Sequence, residues 1–178
     1  MACGSFGGRA VVSVERGRQI LWGARVLAAG SGVRMARARD TERAMSQENV
    51  DFAARWYEVA TSKSELLAAM SRTVAFCHPD VEWSAPEDGT TYRGREGVRQ
   101  RLEEWLESFD EYRYELQRII DCGGDEVLVE ATEAGRGAMS GAEIDSTNYE
   151  LLTFRDGMIV RIREFYDEAT AREAAGLR

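Results

Sequence analysis

The sequence predicts an α+β fold, because its apolar residues follow a helical period at first and later alternate as they do in strands. Between residues 46 and 109, apolar positions recur at intervals of three and four. After Asp110 the period becomes two, in the segments YRYELQRII, VLVEATEAGRGAM, IDSTNYELLTF and MIVRIREFY. Helices followed by consecutive strands predict an antiparallel sheet with helices on one face. A chain of 178 residues has room for one domain with a sizeable core.

Three helices are expected before the sheet. The first begins at Ser46, where one stripe contains Tyr57 and a neighbouring stripe consists of Phe52, Trp56 and Val59. The second follows the S-x-x-E capping box of Ser62 and Glu65 and is expected to end near His78 and Pro79. After the short strand VEWSAP, the third spans residues 94–109 with an apolar face of Val98, Leu102, Trp105, Leu106 and Phe109. A fourth, short helix is expected after its cap Asp167.

The last hairpin decides which side chains share a face. A three-residue loop with Gly157 in the left-handed conformation pairs Phe154 with Met158 and Asn148 with Glu164. One face then carries Asn148, Glu150, Leu152, Val160, Ile162 and Glu164. A two-residue loop would shift one strand by one residue, and that alternative stays open. The opposite face mixes apolar and basic residues, so we expect a homodimer through it: Tyr149, Leu151, Ile159, Arg161, Arg163 and Phe165.

The first 44 residues differ in composition from the rest. They carry eight arginines against three acidic residues, whereas the remainder carries 15 basic and 28 acidic residues. We expect residues 1–44 to be a disordered basic extension and residues 45–178 to form the folded domain. A targeting peptide or a nucleic-acid arm is the alternative for the extension. The acidic main domain would repel phosphate backbones, so we expect no nucleic acid as its partner.

Composition and motifs also predict the cellular compartment and whether a cofactor is bound. No apolar run approaches the roughly 20 residues that span a bilayer, so no membrane insertion is expected. The three cysteines lack metal-binding spacings, and an odd number favours a reduced, cytoplasmic compartment. No phosphate-binding glycine motif occurs, so we predict no cofactor and no metal. The single histidine, His78, precedes Pro79 and is interpreted as a structural residue at a helix end and strand entry.

Several strings together resemble a known family. They are HPDVEW, YRGREGVRQRLEEW, LTFRDGMIVRIREFYD and EAAGL. From about residue 47 to residue 177, the chain resembles the SnoaL-like branch of the nuclear transport factor 2-like superfamily. The resemblance implies an α+β barrel, in which a strongly curved, mixed or antiparallel sheet forms a cone around the N-terminal helices with a pocket inside. The superfamily hosts isomerases, cyclases, dehydratases, epoxide hydrolases and non-catalytic binding domains, so the fold does not decide the chemistry.

The resemblance to ketosteroid isomerases assigns roles to individual residues. Tyr57 in RWYEVA matches the tyrosine that holds the developing enolate, and Glu150 in NYELLTF falls at the position of the protonated acid. The base position in VEWSAP is Trp83, which cannot abstract a proton. The resemblance therefore argues against isomerisation by that route.

The resemblance to limonene-type epoxide hydrolases points to two further acids. Glu133 in VEATEAG and Glu164 in RIREFYD fall on the two carboxylates that activate water. Ala131 occupies the position of the arginine between them, so the cation of that apparatus is missing. SnoaL-type cyclases need only one acid or base carboxylate for an intramolecular aldol closure, and they are the least demanding comparison.

The residues themselves favour acid/base chemistry at a small pocket. Glu133, Glu150 and Glu164 are expected on one concave surface, where burial and mutual repulsion should raise the pKa of at least one of them. The alternative is that they pair with Arg161, Arg163 or Arg136 or lie at a wet pocket mouth. We expect ligand contacts from Trp83, Trp105, Leu102, Asn148 and Ile162.

Two functions remain open from the sequence. One is a cofactor-independent isomerase, cyclase or hydrolase that uses Glu133, Glu164, Glu150 and Tyr57 on a small hydrophobic oxygenated substrate. The other is a ligand-binding or dimerisation module with the same fold and no catalytic duty.

Overall fold

The computed structural model describes residues 11–13, 46–58, 61–85 and 89–177. Its helices are α1 (46–57), α2 (Lys63–Ala75), α3 (Gly94–Glu107) and α4 (Glu168–Ala174). None of the described helices is both long and apolar enough to cross a membrane. Of the predicted extension 1–44, only Val11–Ser13 are described; Val59, at the predicted end of the first helix, also lies outside the described residues.

The helix caps agree with the sequence, whereas two helix ends do not. Ser62 and Glu65 form the predicted capping box at the start of α2, and Asp167 caps α4. The end of α2 was predicted near His78, but the helix stops at Ala75 and the following strand already contains His78. Pro79 explains this difference, because the residue before a proline is driven to extended backbone. Phe109, predicted on the face of α3, instead begins a strand.

In the described part of the chain, seven strands form one sheet in the order β1-β4-β5-β6-β7-β2-β3. The short strands are β1 (Val11–Ser13), β2 (Cys77–Ser84) and β3 (Thr91–Arg93). The four predicted strands are β4 (Phe109–Gly123), β5 (Glu126–Gly137), β6 (Glu143–Arg155) and β7 (Met158–Phe165). All neighbours pair antiparallel except β2 and β7, which are parallel. The sheet is therefore mixed, as the predicted α+β class allowed.

The hairpin between β6 and β7 differs from the predicted register. Arg155 pairs with Met158, which leaves a two-residue turn of Asp156 and Gly157 with positive φ of 53° and 70°. Both angles match the turn type that follows the right-handed twist of the strands. The predicted three-residue loop is wrong, and so is the pairing of Asn148 with Glu164.

A bulge one step into this hairpin restores most of the predicted face. The register shifts between Thr153 and Phe154, after which Leu152 pairs with Ile162 and Glu150 with Glu164. The extra residue moves Ile159 to the buried inner face and removes Val160 from it. The other five predicted inner residues are buried: Asn148, Glu150, Leu152, Ile162 and Glu164.

The sheet curls without closing, and the helices pack inside it to form the predicted cone. Register shifts within β4, β6 and β7 bend the strands, as bulges do. Gly135 permits a close approach, since a Cβ there would lie 2.8 Å from the carbonyl oxygen of Glu111. The main core joins α1, α2 and α3 to the inner face of the sheet.

The outer face of the sheet is partly covered by the chain itself. Tyr149 and Leu151, predicted to face a second subunit, pack with Ala171, Ala175 and Leu177 in a separate buried cluster. Ile159, predicted on that face too, belongs to the inner core. The surface open to a partner is therefore smaller than the sequence suggested.

We expect Ser62→Ala to lower the free energy of unfolding by about 1 kcal/mol, because the Ser62 hydroxyl accepts from the backbone N–H of Glu65. Chemical denaturation with circular dichroism measures the change. Ser71→Ala, at an exposed position of α2, is the matched control and should be neutral or slightly stabilising. Equal stability of the two variants would contradict the role of the capping box.

Candidate functional site

A mostly apolar cavity lies between the helices and the inner face of the sheet. It has an empty volume of about 650 Å³ when the space at its open mouth is included. Its walls come from α1, α2, α3 and strands β2, β4, β5, β6 and β7. The lining residues are Trp56, Tyr57, Leu66, Thr73, Trp83, Arg101, Leu102, Trp105, Leu106, Tyr112, Tyr114, Glu133, Glu150 and Glu164. The cone is thus open to a ligand rather than filled by side chains.

Seven of the nine predicted site residues line this cavity, and two do not. Asn148 is 2% exposed and lies behind the wall, where it contacts Glu133. Ile162 is fully buried in the main core. Neither residue lines the cavity, although both lie on the predicted face.

Glu150 lies at the centre of the polar part of the cavity. Its carboxyl group accepts hydrogen bonds from the hydroxyls of Tyr57 on α1 and Tyr114 on β4. The pKa of Glu150 is raised to about 7. Burial is the largest cause of this rise, the Tyr57 hydrogen bond opposes it, and the charge of Glu133 adds to it. Glu150 therefore changes protonation near neutral pH, as the sequence predicted for at least one of the acids.

The local structure explains why the two tyrosines meet Glu150. The backbone N–H of Tyr114 donates to the carbonyl of Thr61 at 3.0 Å, which fixes the segment after α1 against β4. The rings of Tyr57 and Tyr114 stack with centroids 5.7 Å apart. Burial and the neighbouring Glu150 charge raise the pKa of both hydroxyls, so both remain donors at neutral pH.

Glu133 is held by a different pair of donors. Its Oε1 accepts from the hydroxyl of Tyr112 at 3.1 Å and from Nδ2 of Asn148 at 2.8 Å. Glu133 is 2% exposed. A buried carboxylate needs such partners, because an unpartnered charge is costly in a low-dielectric interior.

Glu164 pairs with a cation that the sequence did not assign to the site. Arg101 on α3 donates from Nη2 to both carboxylate oxygens of Glu164, at 3.0 and 3.4 Å. Its guanidinium lies 4.7 Å from the ring centroid of Trp105 and 5.8 Å from that of Trp83. Ala131 supplies no cation, and the cation beside Glu164 comes from α3.

The alternative pairing of the acids with sheet arginines is wrong for the described residues. Arg163 pairs with Glu126 at 3.3 Å, and Arg136 pairs with Glu111 at 3.4 Å. Arg161 is exposed and lies beside Thr153 in the sheet. The three cavity acids instead take their partners from α1, α3, β4 and β6.

Seven lining residues were not predicted from the sequence, although the sequence pattern marks some of them as unusual. Arg101 is three residues after Val98 and four before Trp105, so a charge interrupts the apolar stripe of α3. Tyr112 and Tyr114 alternate on β4 and therefore share a face. The remaining missed residues are aliphatic, aromatic or small and have no such signal: Trp56, Leu66, Thr73 and Leu106.

His78 lies away from the cavity, at an exposed polar cluster. Its Nδ1 accepts from the backbone N–H of Asp80 at 3.1 Å, and the guanidinium of Arg155 is at the same distance. Among the residues that the structure describes, no group of three or more His, Cys, Asp or Glu side chains has the arrangement of a metal site.

The fold and cavity place the chain in a family. Residues 53–162 match the model of the SnoaL-like domain, and the chain belongs to that family. No functionally curated protein matches the chain. The resemblance derived from its sequence strings is therefore confirmed at the level of the family.

Solved structures of similar fold include proteins that hold small molecules. TerC, co-crystallised with polyporic acid, is 22% identical with a TM-score of 0.56 over 72% of this chain and 98% of its own. A protein with a ketosteroid isomerase-like fold from Catenulispora acidiphila, in complex with trimethylamine, is 18% identical with a TM-score of 0.51 over 64% and 90%. A protein assigned as a polyketide cyclase from Xanthomonas campestris is 19% identical with a TM-score of 0.56 over 74% and 98%. The fold is thus one that accommodates small ligands.

We expect Glu150→Gln to flatten the pH dependence of stability between about pH 4.5 and pH 7. The native carboxyl group has a pKa of about 7 against an ordinary value of 4.5, so the folded state binds more protons in this range. The stabilisation is complete below pH 4.5 and is lost as pH rises through 7, on the order of 3 kcal/mol in total. Urea unfolding across this range measures it. The exposed Glu115→Gln is the control, and identical slopes for the two variants would refute the raised pKa.

We expect Arg101→Met to destabilise the protein by about 3–5 kcal/mol, because it leaves the buried Glu164 without its guanidinium. The double variant Arg101→Met/Glu164→Gln should recover part of the loss. Arg99→Met removes only surface pairs of 3.9 and 4.0 Å and should cost less than about 1 kcal/mol. Equal losses for Arg99→Met and Arg101→Met would contradict the buried ion pair.

Proposed function

We propose that the protein is a cofactor-independent acid/base enzyme acting on a small, mostly apolar, oxygenated substrate. The observation that carries this proposal is Glu150, a carboxyl group with a pKa of about 7 on the wall of an open aromatic cavity. A group that titrates near the working pH transfers protons most effectively in either direction. Structural carboxylates rarely need such a pKa, whereas catalytic ones do.

Glu150 is the proton-transfer group in this proposal. Tyr57 and Tyr114 hold its carboxyl group in one orientation, and their hydroxyls stabilise its charged form after it has given up a proton. Glu164 and Glu133 are the second and third candidates, and each has a partner that fixes it: Arg101 and Asn148 respectively. Rigid support of this kind is what a catalytic constellation requires.

The reaction class follows from which groups are present. Isomerisation by the ketosteroid route lacks a base, because Trp83 stands at that position. Water activation by a pair of carboxylates and a cation has its components in Glu133, Glu164 and Arg101, though the cation comes from α3. An intramolecular cyclisation needs only one acid/base carboxyl group, and Glu150 meets that requirement. We therefore place cyclisation first and hydrolysis second.

A non-catalytic ligand-binding module is the second candidate. One observation favours it: the hydroxyls of Tyr57, Tyr112 and Tyr114 donate to wall carboxyl groups and not towards the cavity space. The small molecules bound by TerC and by the Catenulispora protein support ligand binding on this fold without deciding between the two classes.

Under either candidate we propose a cytoplasmic homodimer that uses the part of the outer sheet face left open by α4.

The test is a ligand screen followed by turnover measurements. Thermal shift with lipophilic ketones, epoxides and polyketides should identify binders, and mass spectrometry of incubated binders should show conversion. Glu150→Gln should reduce kcat by roughly 100-fold or more, the usual contribution of a general acid or base. Glu133→Gln and Glu164→Gln measure the other two acids, with Glu115→Gln as the exposed control.

The pH profile gives a second criterion. The profile of kcat/KM for the free enzyme should show an ionisation near pH 7 that Glu150→Gln removes. Binding without turnover, with equal affinity in all three variants, would leave the ligand-binding module as the function.

A further inference from the structure

The hydroxyl donors on the cavity wall are committed to the wall itself. Tyr57 and Tyr114 donate to Glu150, and Tyr112 donates to Glu133. Arg101 donates to Glu164, and the hydroxyl of Thr73 donates to the carbonyl of Ala69. Tyrosine and threonine hydroxyls have one proton each, so none of these four side chains has a second hydroxyl proton for a ligand.

Two indole N–H groups on the wall are not available to a ligand either. The Nε1 atoms of Trp56 and Trp83 make no hydrogen bond to the described residues, but both atoms are covered by protein. A ligand in the cavity cannot reach them without moving the indoles. Oε2 of Glu133 is covered by protein as well. Apart from Arg101, the polar groups that a ligand meets are therefore mainly acceptors, the carboxyl groups of Glu150 and Glu164.

The cavity wall carries more acidic than basic side chains. Three glutamates and one arginine are the only ionisable carboxyl and guanidinium groups among the lining residues. Glu164 already offsets the charge of Arg101 at 3.0 Å. An anionic ligand would be placed beside Glu150 and Glu133 in a poorly solvated space, where like charges repel strongly.

Aromatic rings form much of the remaining wall. They are Trp56, Tyr57, Trp83, Trp105, Tyr112 and Tyr114. The guanidinium of Arg101 already lies over Trp105 and Trp83, so these rings attract a cation in the structure itself. Rings with acidic neighbours recognise organic ammonium ions through the negative face of the π system.

We propose that the ligand of this cavity carries a positively charged ammonium group, placed by the carboxyl groups of Glu150 and Glu164 and by the aromatic wall. The inference rests on the proposed function, because it concerns the same cavity and adds the charge class of the substrate to it. The apolar parts of such a substrate would contact Leu66, Leu102 and Leu106.

Binding of a cation must be coupled to the protonation of Glu150. The charged or titratable groups that face it are Tyr57 from α1, Arg101 from α3, Tyr114 from β4, Glu133 from β5 and Glu164 from β7. A cation beside this group favours its ionised form, so binding releases a proton at pH 6 to 7. The affinity for a cation should therefore rise with pH through about 7.

The experiment compares three molecules of one shape. Choline is a permanent cation, 3,3-dimethyl-1-butanol is its neutral counterpart, and 3,3-dimethylbutanoate is an anion of similar size. Binding to the full chain is measured by isothermal titration calorimetry or by ligand-observed NMR at pH 6 and pH 8. We expect choline to bind roughly tenfold or more tightly than the alcohol at pH 8, and the anion to bind most weakly.

Calorimetry in two buffers of different ionisation enthalpy gives an independent readout on the unmodified protein. At pH 6.5 the apparent enthalpy of choline binding should depend on the buffer, since a proton leaves Glu150. Glu150→Gln should abolish both this dependence and the rise in affinity with pH, whereas Glu115→Gln should preserve both. If Glu150→Gln does not fold, Tyr57→Phe keeps the ring and removes a hydrogen bond that lowers the pKa of Glu150, so the rise in choline affinity should move to higher pH.

Each outcome decides the question. Preferential binding of the alcohol, equal binding of alcohol and choline, or binding of choline without proton release would overturn the proposal. Lipophilic ketones that bind and turn over while choline does not bind would overturn it and leave the proposed function intact. No binding in either set would overturn both.

Discussion

The burial of three carboxyl groups on one concave face is the constraint to which the rest of the site responds. An isolated charge in such a place costs several kcal/mol, so each acid needs its own compensation. Glu150 is compensated by a raised pKa and two tyrosine hydroxyls, Glu133 by a hydroxyl and an amide, and Glu164 by a guanidinium. The helices close the cone and also supply two of these partners, Tyr57 from α1 and Arg101 from α3.

Trp83 connects two features of the pocket wall. By the resemblance to ketosteroid isomerases, Trp83 falls at the position of their base, and an indole cannot accept a proton. The same indole is one of two rings against which the guanidinium of Arg101 lies, at 5.8 Å. At this point of the wall, β2 therefore presents an aromatic ring beside a cation. Under the proposed function, proton transfer falls to the acids on β5, β6 and β7.

Periodicity made most of the fold and the inner face predictable, while long-range contacts set the limit. The alternation in β6 placed Asn148, Glu150 and Leu152 together, and it was correct because a side chain's face depends only on its own strand. The pairing with β7 was wrong because a bulge next to a two-residue turn cannot be read from alternation. The charge of Arg101 within the apolar stripe of α3 marks it as unusual, but its partner Glu164 lies 63 residues away and cannot be read from a local pattern. Asn148 and Ile162 lie behind the cavity wall, because the sheet face of a residue does not determine whether its side chain reaches the cavity surface.

The charge of a ligand would decide whether Glu150 acts as an acid or as a base. Burial is the largest cause of its raised pKa, so a neutral ligand that displaces water from the cavity would raise the pKa further and keep the proton on the group. A cationic ligand would act in the opposite direction and leave a carboxylate, which is a base. Under the proposed function, the same cavity would therefore protonate a neutral substrate or deprotonate a cationic one at the same pH. The role of Glu150 would then depend on the charge of the bound ligand as much as on the residue itself.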